Sequence, residues 1–172
     1  MDLESYIRDI PDFPQPGVVF KDITPLLADP AAFHETIDRM AAGYADSGVT
    51  KVLGAEARGF IFAAPLAYKL GAGFIPARKP GKLPWETTSA TYQLEYGTDS
   101  LEMHRDAIVA GDRVVIVDDV LATGGTASAK AALVAENGGV VVGFAFLIEL
   151  DFLGGRAKLP EGARVLSLIN VA

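Results

Sequence analysis

The chain has 172 residues, of which 50% are hydrophobic and 22% are charged, a composition typical of one globular domain with a sizeable core. Its formal net charge of −7 disfavours a nucleic-acid-binding role, because phosphate backbones are bound by clustered lysine and arginine. The sequence has no cysteine, which excludes disulfides, thiolate nucleophiles, cysteine-type zinc sites and iron–sulfur clusters.

The N-terminus and the hydropathy pattern predict a cytoplasmic protein. Residues 1–4 are acidic and lack the cationic and apolar regions of a signal peptide. The apolar run over residues 140–148 is far shorter than the roughly 20 residues needed to cross a bilayer, and it predicts a buried strand instead. We therefore expect neither a membrane nor a nucleic acid as a partner.

The N-terminal segment predicts a short helix, an irregular stretch and then a longer helix. Apolar residues follow a helical spacing over residues 3–10, and the proline-rich stretch 11–17 cannot form regular helix. Asp29 and Pro30 are typical of a helix start, because aspartate caps free N–H groups and proline is favoured at the first helical position.

Strands and helices then alternate, which predicts right-handed crossovers and a parallel sheet. The predicted strands cover residues 51–55, 73–77, 113–118, 140–148 and 165–170. Residues 56–59 predict a turn into a helix that Pro65 should kink or begin late, and residues 128–137 predict another helix.

The segment over residues 80–103 interrupts this alternation. Residues 87–96 are rich in β-prone side chains, and the turn residues 97–99 follow them. A connection of this length inside a small domain is usually functional or disordered, and its aromatic and β-branched content argues against disorder. We expect a mobile flap.

Residues 114–126 (VVIVDDVLATGGT) carry the strongest functional pattern. A buried strand is predicted to end in Asp118 and Asp119, and a small-residue turn leads from there into a helix. Ligands of open α/β sheets bind at the carboxyl ends of strands, where backbone N–H groups and a helix N-terminus favour an anion. Carboxylates beside such an anion site fit a ligand with hydroxyls next to phosphate, such as a ribose 5-phosphate.

A second candidate region is cationic. Arg78, Lys79 and Lys82 fall within one short loop of a chain that has few basic residues, which indicates a local site for an anionic small molecule. The turn 56–59 (EARG) ends in a cation and a glycine, which suits a diphosphate group. Each pattern alone is also typical of solvated surface or of a plain strand-to-helix turn.

Residues 114–126 resemble the 5-phosphoribosyl 1-diphosphate (PRPP) signature of the type I phosphoribosyltransferase family. Three further stretches narrow the resemblance to the adenine phosphoribosyltransferases: residues 13–23 (FPQPGVVFKDI), 56–60 (EARGF), and 78–84 (RKPGKLP) leading to 94–97 (LEYG). The resemblance covers nearly the whole chain. It implies an α/β fold with a central parallel β-sheet flanked by helices, as a single domain over residues 1–172, with a hood from residues 1–28 and a flap over residues 80–103.

The resemblance assigns the PRPP phosphate to the signature loop, Ala122, Thr123, Gly124, Gly125 and Thr126, and the ribose hydroxyls to Asp118 and Asp119. It assigns the diphosphate to Glu56, Ala57, Arg58, Arg78, Lys79 and Lys82, with a non-proline cis peptide near Glu56–Ala57. It gives catalytic roles to Arg58, Glu95, Asp118 and Asp119. The cofactor implied is Mg²⁺, held by PRPP and water without a direct protein ligand, with Asp118 at most in its outer shell.

The resemblance also places adenine on the ring of Phe20, with the backbone at Val19 and Lys21 reading the edge of the base. From the sequence alone, Phe20 would more readily be a core residue. The flap residue Glu95 would lie over the site, where it steers the purine or handles its proton. Many family members have arginine in place of Lys21 and Asp–Ser in place of Glu56–Ala57, so a side-chain hydroxyl is lost here.

The activity implied is transfer of the 5-phosphoribosyl group from PRPP to adenine, through an oxocarbenium-like transition state, giving AMP and diphosphate in purine salvage. A homodimer is expected from the family. One alternative is a related enzyme for xanthine or guanine, which residues 19–21 disfavour. Another is a non-catalytic sensor of PRPP or nucleotides, although such proteins usually carry an added DNA-binding domain or lack the diphosphate-loop and flap residues.

Overall fold

The computed structural model describes residues 1–94 and 96–172. In that part of the chain the strands are β1 (Arg8–Pro11), β2 (Val19–Asp22), β3 (Lys51–Ala55), β4 (Gly73–Ala77), β5 (Thr87–Gln93), β6 (Thr98–His104), β7 (Arg113–Leu121), β8 (Val140–Leu150) and β9 (Val165–Val171). The α-helices are α1 (Thr24–Ala28), α2 (Pro30–Tyr44), α3 (Arg58–Leu70) and α4 (Gly125–Glu136). Short 3₁₀ helices cover Glu4–Tyr6, Asp151–Leu153 and Gly155–Lys158.

A five-stranded parallel sheet in the order β4-β3-β7-β8-β9 forms the centre of the fold. The five strands predicted from the sequence are therefore confirmed. Strand β7 runs three residues beyond the predicted end at Asp118, because its pairing with β8 continues through Leu121, which lies opposite Glu149. The two acidic residues thus lie within a paired strand rather than after it.

The sheet is buried on both faces, as expected for parallel strands covered by helices. On one face, Val115 and Val117 of β7 pack in a core shared with helices α2 and α3. On the other face, Val114 and Ile116 pack in a core shared with helix α4 and the β5–β6 hairpin. Strand β7 is therefore held from both sides, which fixes the position of the carboxylates near its end.

The helix starts are governed by local chemistry. The Asp29 side chain accepts a hydrogen bond from the N–H of Ala32 at 2.8 Å, and this confirms the predicted start of α2. Helix α3 begins at Arg58 with Pro65 in its interior, so a late start is wrong. Helix α4 begins at Gly125 instead of residue 128, because Gly124, with φ of 85°, turns the chain into the helix directly after β7.

The N-terminal helix predicted over residues 3–10 is largely wrong. Only Glu4–Tyr6 forms a helical turn, and Arg8–Pro11 instead pairs antiparallel with β2, where Ile10 lies opposite Phe20. A cis peptide between Phe13 and Pro14 lies within the connection. This long-range pairing overrides the weak local helical pattern.

Strands β5 and β6 form an antiparallel hairpin within the predicted flap. Arg78 and Glu102 exchange backbone hydrogen bonds, with distances of 2.9 and 2.7 Å, which anchors the hairpin next to the end of β4. The predicted mobility of the flap stays a prediction. None of the helices in the described residues is long and apolar enough to cross a membrane.

Candidate active site

A cavity of about 410 Å³ opens where β3 and β7 end, in the region where parallel sheets bind ligands. Its wall includes most of the residues that the sequence singles out: Val19, Phe20, Lys21, Glu56, Ala57, Arg58, Lys79, Asp118, Asp119, Ala122, Thr123, Gly124, Gly125 and Thr126. Arg78 and Lys82 are not part of the wall that the described residues form, and Glu95 lies outside the described residues.

Several wall residues were not identified from the sequence. They are Val18, Tyr92, Leu101, Val120, Leu121, Ala127, Phe146 and Leu150, together with Ala55 at the end of β3. Most are apolar residues on strands or next to their ends, and nothing in their spacing distinguishes them from ordinary core residues. Their location depends on which strands become neighbours in the sheet.

The turn between β7 and α4 leaves the N-terminus of the helix without a side-chain cap. Gly124 is the N-cap of α4, and no side chain caps the helix there, so the N–H groups of the first turn remain available to a ligand. A Cβ on Gly124 would lie 2.3 Å from the carbonyl oxygen of Gly155. The loop around Gly155 therefore packs directly behind the turn and requires glycine at both positions.

Asp118 and Asp119 lie side by side but have different surroundings. The Asp118 carboxylate accepts hydrogen bonds from Lys130 Nζ at 2.6 Å and from the backbone N–H of Asp119 at 3.0 Å. The Asp119 side chain is only 6% exposed, and Arg58 Nε lies 2.9 Å from its Oδ2. The Arg58 N–H is not aligned with that oxygen, so among the described residues Oδ2 has an ion-pair partner but no hydrogen-bond donor.

Burial raises the pKa of Asp119 to about 7, and the neighbouring charge of Asp118 adds to this effect. Arg58 acts in the opposite direction and lowers the pKa of the same group. Asp119 exchanges its proton in the neutral range, whereas Asp118 is held between two hydrogen-bond donors.

The turn after β3 is joined to the basic loop by a carboxylate. Glu56 Oε1 accepts hydrogen bonds from the N–H of Lys79 at 2.8 Å and from Arg78 Nε at 3.1 Å. The bond from the Lys79 N–H lowers the pKa of Glu56, so its side chain holds the basic loop in place as an anion. A non-proline cis peptide joins Glu56 to Ala57, as the resemblance implies.

Lys79 is linked to the flap. Its ammonium pairs with the carboxylate of Asp99 and donates to the hydroxyl of Tyr92 at 3.2 Å. The bond to Asp99 raises the pKa of Lys79, so the side chain is a cation next to the cavity. The predicted diphosphate-binding cations Arg58, Arg78 and Lys79 thus each face a carboxylate from another segment.

The hood strands supply the aromatic part of the cavity. The Arg58 guanidinium carbon lies 5.4 Å from the centre of the Phe20 ring, and Phe13 packs edge-on against the same ring at 5.2 Å. The Lys21 ammonium bonds to Asp9 Oδ1 at 2.7 Å, so its charge is balanced within the hood. Phe20 is therefore a cavity residue, in contrast to the core position that the sequence alone favours.

Known proteins are similar to this chain over nearly its whole length. A model of the phosphoribosyl transferase domain matches residues 26–166. The adenine phosphoribosyltransferase of Solibacter usitatus is 62% identical over 98% of this chain and 97% of that protein. The one from Geobacter metallireducens is 61% identical over 98% of both chains.

Solved structures agree with these sequence matches. Adenine phosphoribosyltransferase from Thermoanaerobacter pseudethanolicus has a TM-score of 0.95 at 55% identity, with 99% of this chain and 98% of that chain covered. The Saccharomyces cerevisiae enzyme, crystallised with adenine and an imino-altritol bisphosphate, has a TM-score of 0.91 at 41% identity, with 97% and 96% covered. The fold and the site thus define a type I phosphoribosyltransferase. Within that class, the chain belongs to the adenine phosphoribosyltransferase family.

Proposed function

We propose that this cavity transfers the 5-phosphoribosyl group of PRPP to adenine, giving AMP and diphosphate, a reaction of purine salvage. The observation that carries the proposal is a pair of adjacent carboxylates, the half-buried Asp118 and the buried Asp119, next to an uncapped helix N-terminus in the same cavity. A ribose 5-phosphate carries both hydroxyls and a dianionic phosphate, the groups that these two features would bind. The adenine bound to the S. cerevisiae relative supports the choice of base.

The phosphate would bind at the start of α4. Backbone N–H groups of residues 122–126 and the positive end of the helix dipole attract an anion there. The hydroxyls of Thr123 and Thr126 add donors on the same turn. This end of PRPP takes no part in bond breaking, so its role is to fix the sugar relative to the carboxylates.

Asp118 and Asp119 would accept hydrogen bonds from the ribose hydroxyls and stabilise positive charge on the sugar. As adenine N9 forms its bond to C1, the bond from C1 to the diphosphate oxygen breaks, and C1 is inverted. Positive charge develops on the ring in the transition state, as in glycoside hydrolysis. Preorganised anions next to that charge lower the barrier without any proton transfer of their own.

The departing diphosphate would be bound by Arg58 and Lys79, whose present carboxylate partners are Asp119 and Asp99. A diphosphate carries more negative charge than one carboxylate and offers several acceptor oxygens, so it would compete with these partners for both cations. Mg²⁺ would neutralise the diphosphate charge, held by phosphate oxygens and water. Asp118 fits no more than its outer shell, because Lys130 already engages one carboxylate oxygen.

Phe20 would provide the stacking surface for adenine. Replacing Phe20 with Ala removes that surface, so KM for adenine is expected to rise far more than KM for PRPP. The variant Phe20→Tyr keeps an aromatic ring and should retain a KM for adenine near that of the unsubstituted protein. Steady-state kinetics with each substrate varied in turn measures both constants, and an unchanged KM for adenine in Phe20→Ala would contradict this role.

We also propose a homodimer formed through α3 and the edge strand β4. Tyr68 on α3 is 89% exposed and Phe74 on β4 is 38% exposed, and Phe74 packs edge-on against Phe60 at 5.5 Å. Exposed aromatics beside a sheet edge are typical of a protein interface. Tyr68→Glu should shift the sedimentation coefficient to that of a monomer, whereas Val109→Glu, at an exposed position on the other face, should not.

Adenine releases its N9 proton as N9 bonds to C1. Glu95 remains the predicted residue for steering the base or handling its proton. The cytoplasmic location remains a prediction from the sequence.

A further inference from the structure

Lys130 is a charged residue in an otherwise apolar position. Its side chain is fully buried on α4, where the other buried positions are alanine, leucine and valine. Burying an ammonium group is costly unless a charged partner satisfies it. An apolar side chain would fill the same space, so the packing of the helix alone does not require a lysine.

The only partner of Lys130 in the described residues is the site carboxylate Asp118, with Nζ 2.6 Å from Oδ2. Asp118 lines the cavity, whereas Lys130 is not part of its wall. The lysine therefore contacts the carboxylate from behind, on the side away from the ligand. It is a positioning group and not a ligand-binding group.

Asp118 is restrained on two further sides. Its Oδ1 accepts the N–H of Asp119 at 3.0 Å. A Cβ on Gly59 would lie 3.0 Å from the same oxygen, so the start of α3 packs closely against it. With Lys130 on Oδ2, the carboxylate has one available orientation.

We propose that Lys130 is a positioning residue for the phosphoribosyl transfer: it fixes Asp118 and offsets its charge, so that two adjacent carboxylates can face the ribose. This inference rests on the proposed function. Asp119 has Arg58 of α3 as its counter-charge, and Lys130 of α4 supplies the second one. At Asp119, burial and the neighbouring charge of Asp118 raise the pKa to about 7, so a further uncompensated charge next to it would be unfavourable.

The test compares Lys130→Met with the unsubstituted protein. Methionine fills the space without a charge, so Asp118 loses its anchor while α4 keeps its packing. We expect kcat/KM for PRPP to fall by on the order of tenfold or more, as when supporting partners of ligating groups are removed. KM for adenine should not change. Lys51→Met, which removes a half-buried lysine at the start of β3, at the end of the sheet opposite to the cavity, is the matched control and should leave all constants unchanged.

A double substitution shows whether Lys130 acts through Asp118. The variant Asp118→Asn/Lys130→Met has no unpaired buried charge and is expected to fold even if Lys130→Met does not. If the two residues act as a unit, the double variant loses no more activity than Asp118→Asn alone. The inference would be overturned if the fold-losses in activity of the two single variants multiply in the double variant. A folded Lys130→Met variant with normal kinetics would overturn it as well.

The same assays distinguish an error in the role of Lys130 from an error in the proposed function. An unsubstituted protein that makes no AMP from PRPP and adenine contradicts the proposed function. An active protein whose Lys130→Met variant is equally active contradicts only the role of Lys130.

Discussion

At Asp119, folding and the proposed catalysis favour different protonation states. Its carboxyl is buried, and its pKa of about 7 means that the folded protein holds a proton there that an unfolded chain releases near 3.8. Since the folded state binds this proton more tightly, the contribution of Asp119 to stability is greatest at low pH and decreases as the pH rises from about 4 to 7. The charged form that would stabilise the transition state is the one that folding disfavours.

Asp119→Asn should therefore separate stability from activity. Asparagine cannot ionise, so at pH 8 the variant is expected to melt at a higher temperature than the unsubstituted protein. At pH 4 this difference should nearly disappear, because the native carboxyl is then protonated. The variant should stay folded but lose most of the rate of AMP formation. Calorimetry at the two pH values measures the first effect, and retention of full activity would contradict the role of the carboxylate.

The same pKa predicts an acid limb in the pH profile. In the free enzyme kcat/KM for PRPP should decline as the pH falls through about 7, because Asp119 then becomes neutral. Arg58 lowers the pKa of Asp119, so Arg58→Gln should move this limb to higher pH in addition to reducing the rate. If the midpoint pH of this limb is the same in Arg58→Gln, a group other than Asp119 controls the acid side of the profile.

The proposed phosphate-binding turn between β7 and α4 is supported by a loop from a distant part of the chain. The segment around Gly155 lies directly behind the turn, and a Cβ on Gly155 would be 2.3 Å from the carbonyl oxygen of Ala122. Arg156 holds this segment through two hydrogen bonds to the buried Glu149, at 2.6 and 2.7 Å. Ser167 of β9 donates a further hydrogen bond to the same carboxylate at 2.5 Å.

Gly155→Ala should damage PRPP binding through this contact. The new methyl group meets backbone, which cannot rotate away, so the turn must shift and stability should fall by about 1–3 kcal/mol. KM for PRPP is expected to rise, with KM for adenine much less affected. Gly154→Ala is the matched control: its φ of 62° strains an alanine, but nothing lies within 4 Å of the new Cβ. Equal PRPP kinetics in the two variants would contradict the role of the contact.

The elements that the sequence predicted well are those whose signals are local. The apolar runs of β3 and β4 predict strands, and both strands form in the sheet. The capping pair Asp29–Pro30 predicts a helix start, and α2 begins there. The pairing of β1 with β2 could not be predicted, because it depends on contacts made only after the chain turns back at residues 12–17. The proposed role of Lys130 was also missed, because its contact with Asp118 is made only in the folded chain. One lysine among the alanines and leucines of α4 is a sequence signal that could have been used.

In the molecule as a whole, chain segments that lie far apart in the sequence meet at one cavity. The hood contributes Phe20, the turn after β3 contributes Arg58, the basic loop contributes Lys79, and the end of β7 contributes the carboxylates. Their convergence follows from the parallel sheet, which brings the carboxyl ends of β3 and β7 together. The signature motif could be located from the sequence, whereas the ion pairs Arg58–Asp119 and Lys79–Asp99 required the fold.

The proposed transfer to adenine is tested most directly by measuring nucleotide formation from PRPP and Mg²⁺, with adenine, guanine, hypoxanthine and xanthine assayed in parallel. We expect turnover with adenine alone, giving AMP and diphosphate. Turnover with another base would keep the PRPP site and contradict the proposed base site around Phe20. Binding of PRPP without turnover on any of the four bases would contradict the enzymatic function and favour a PRPP-sensing protein.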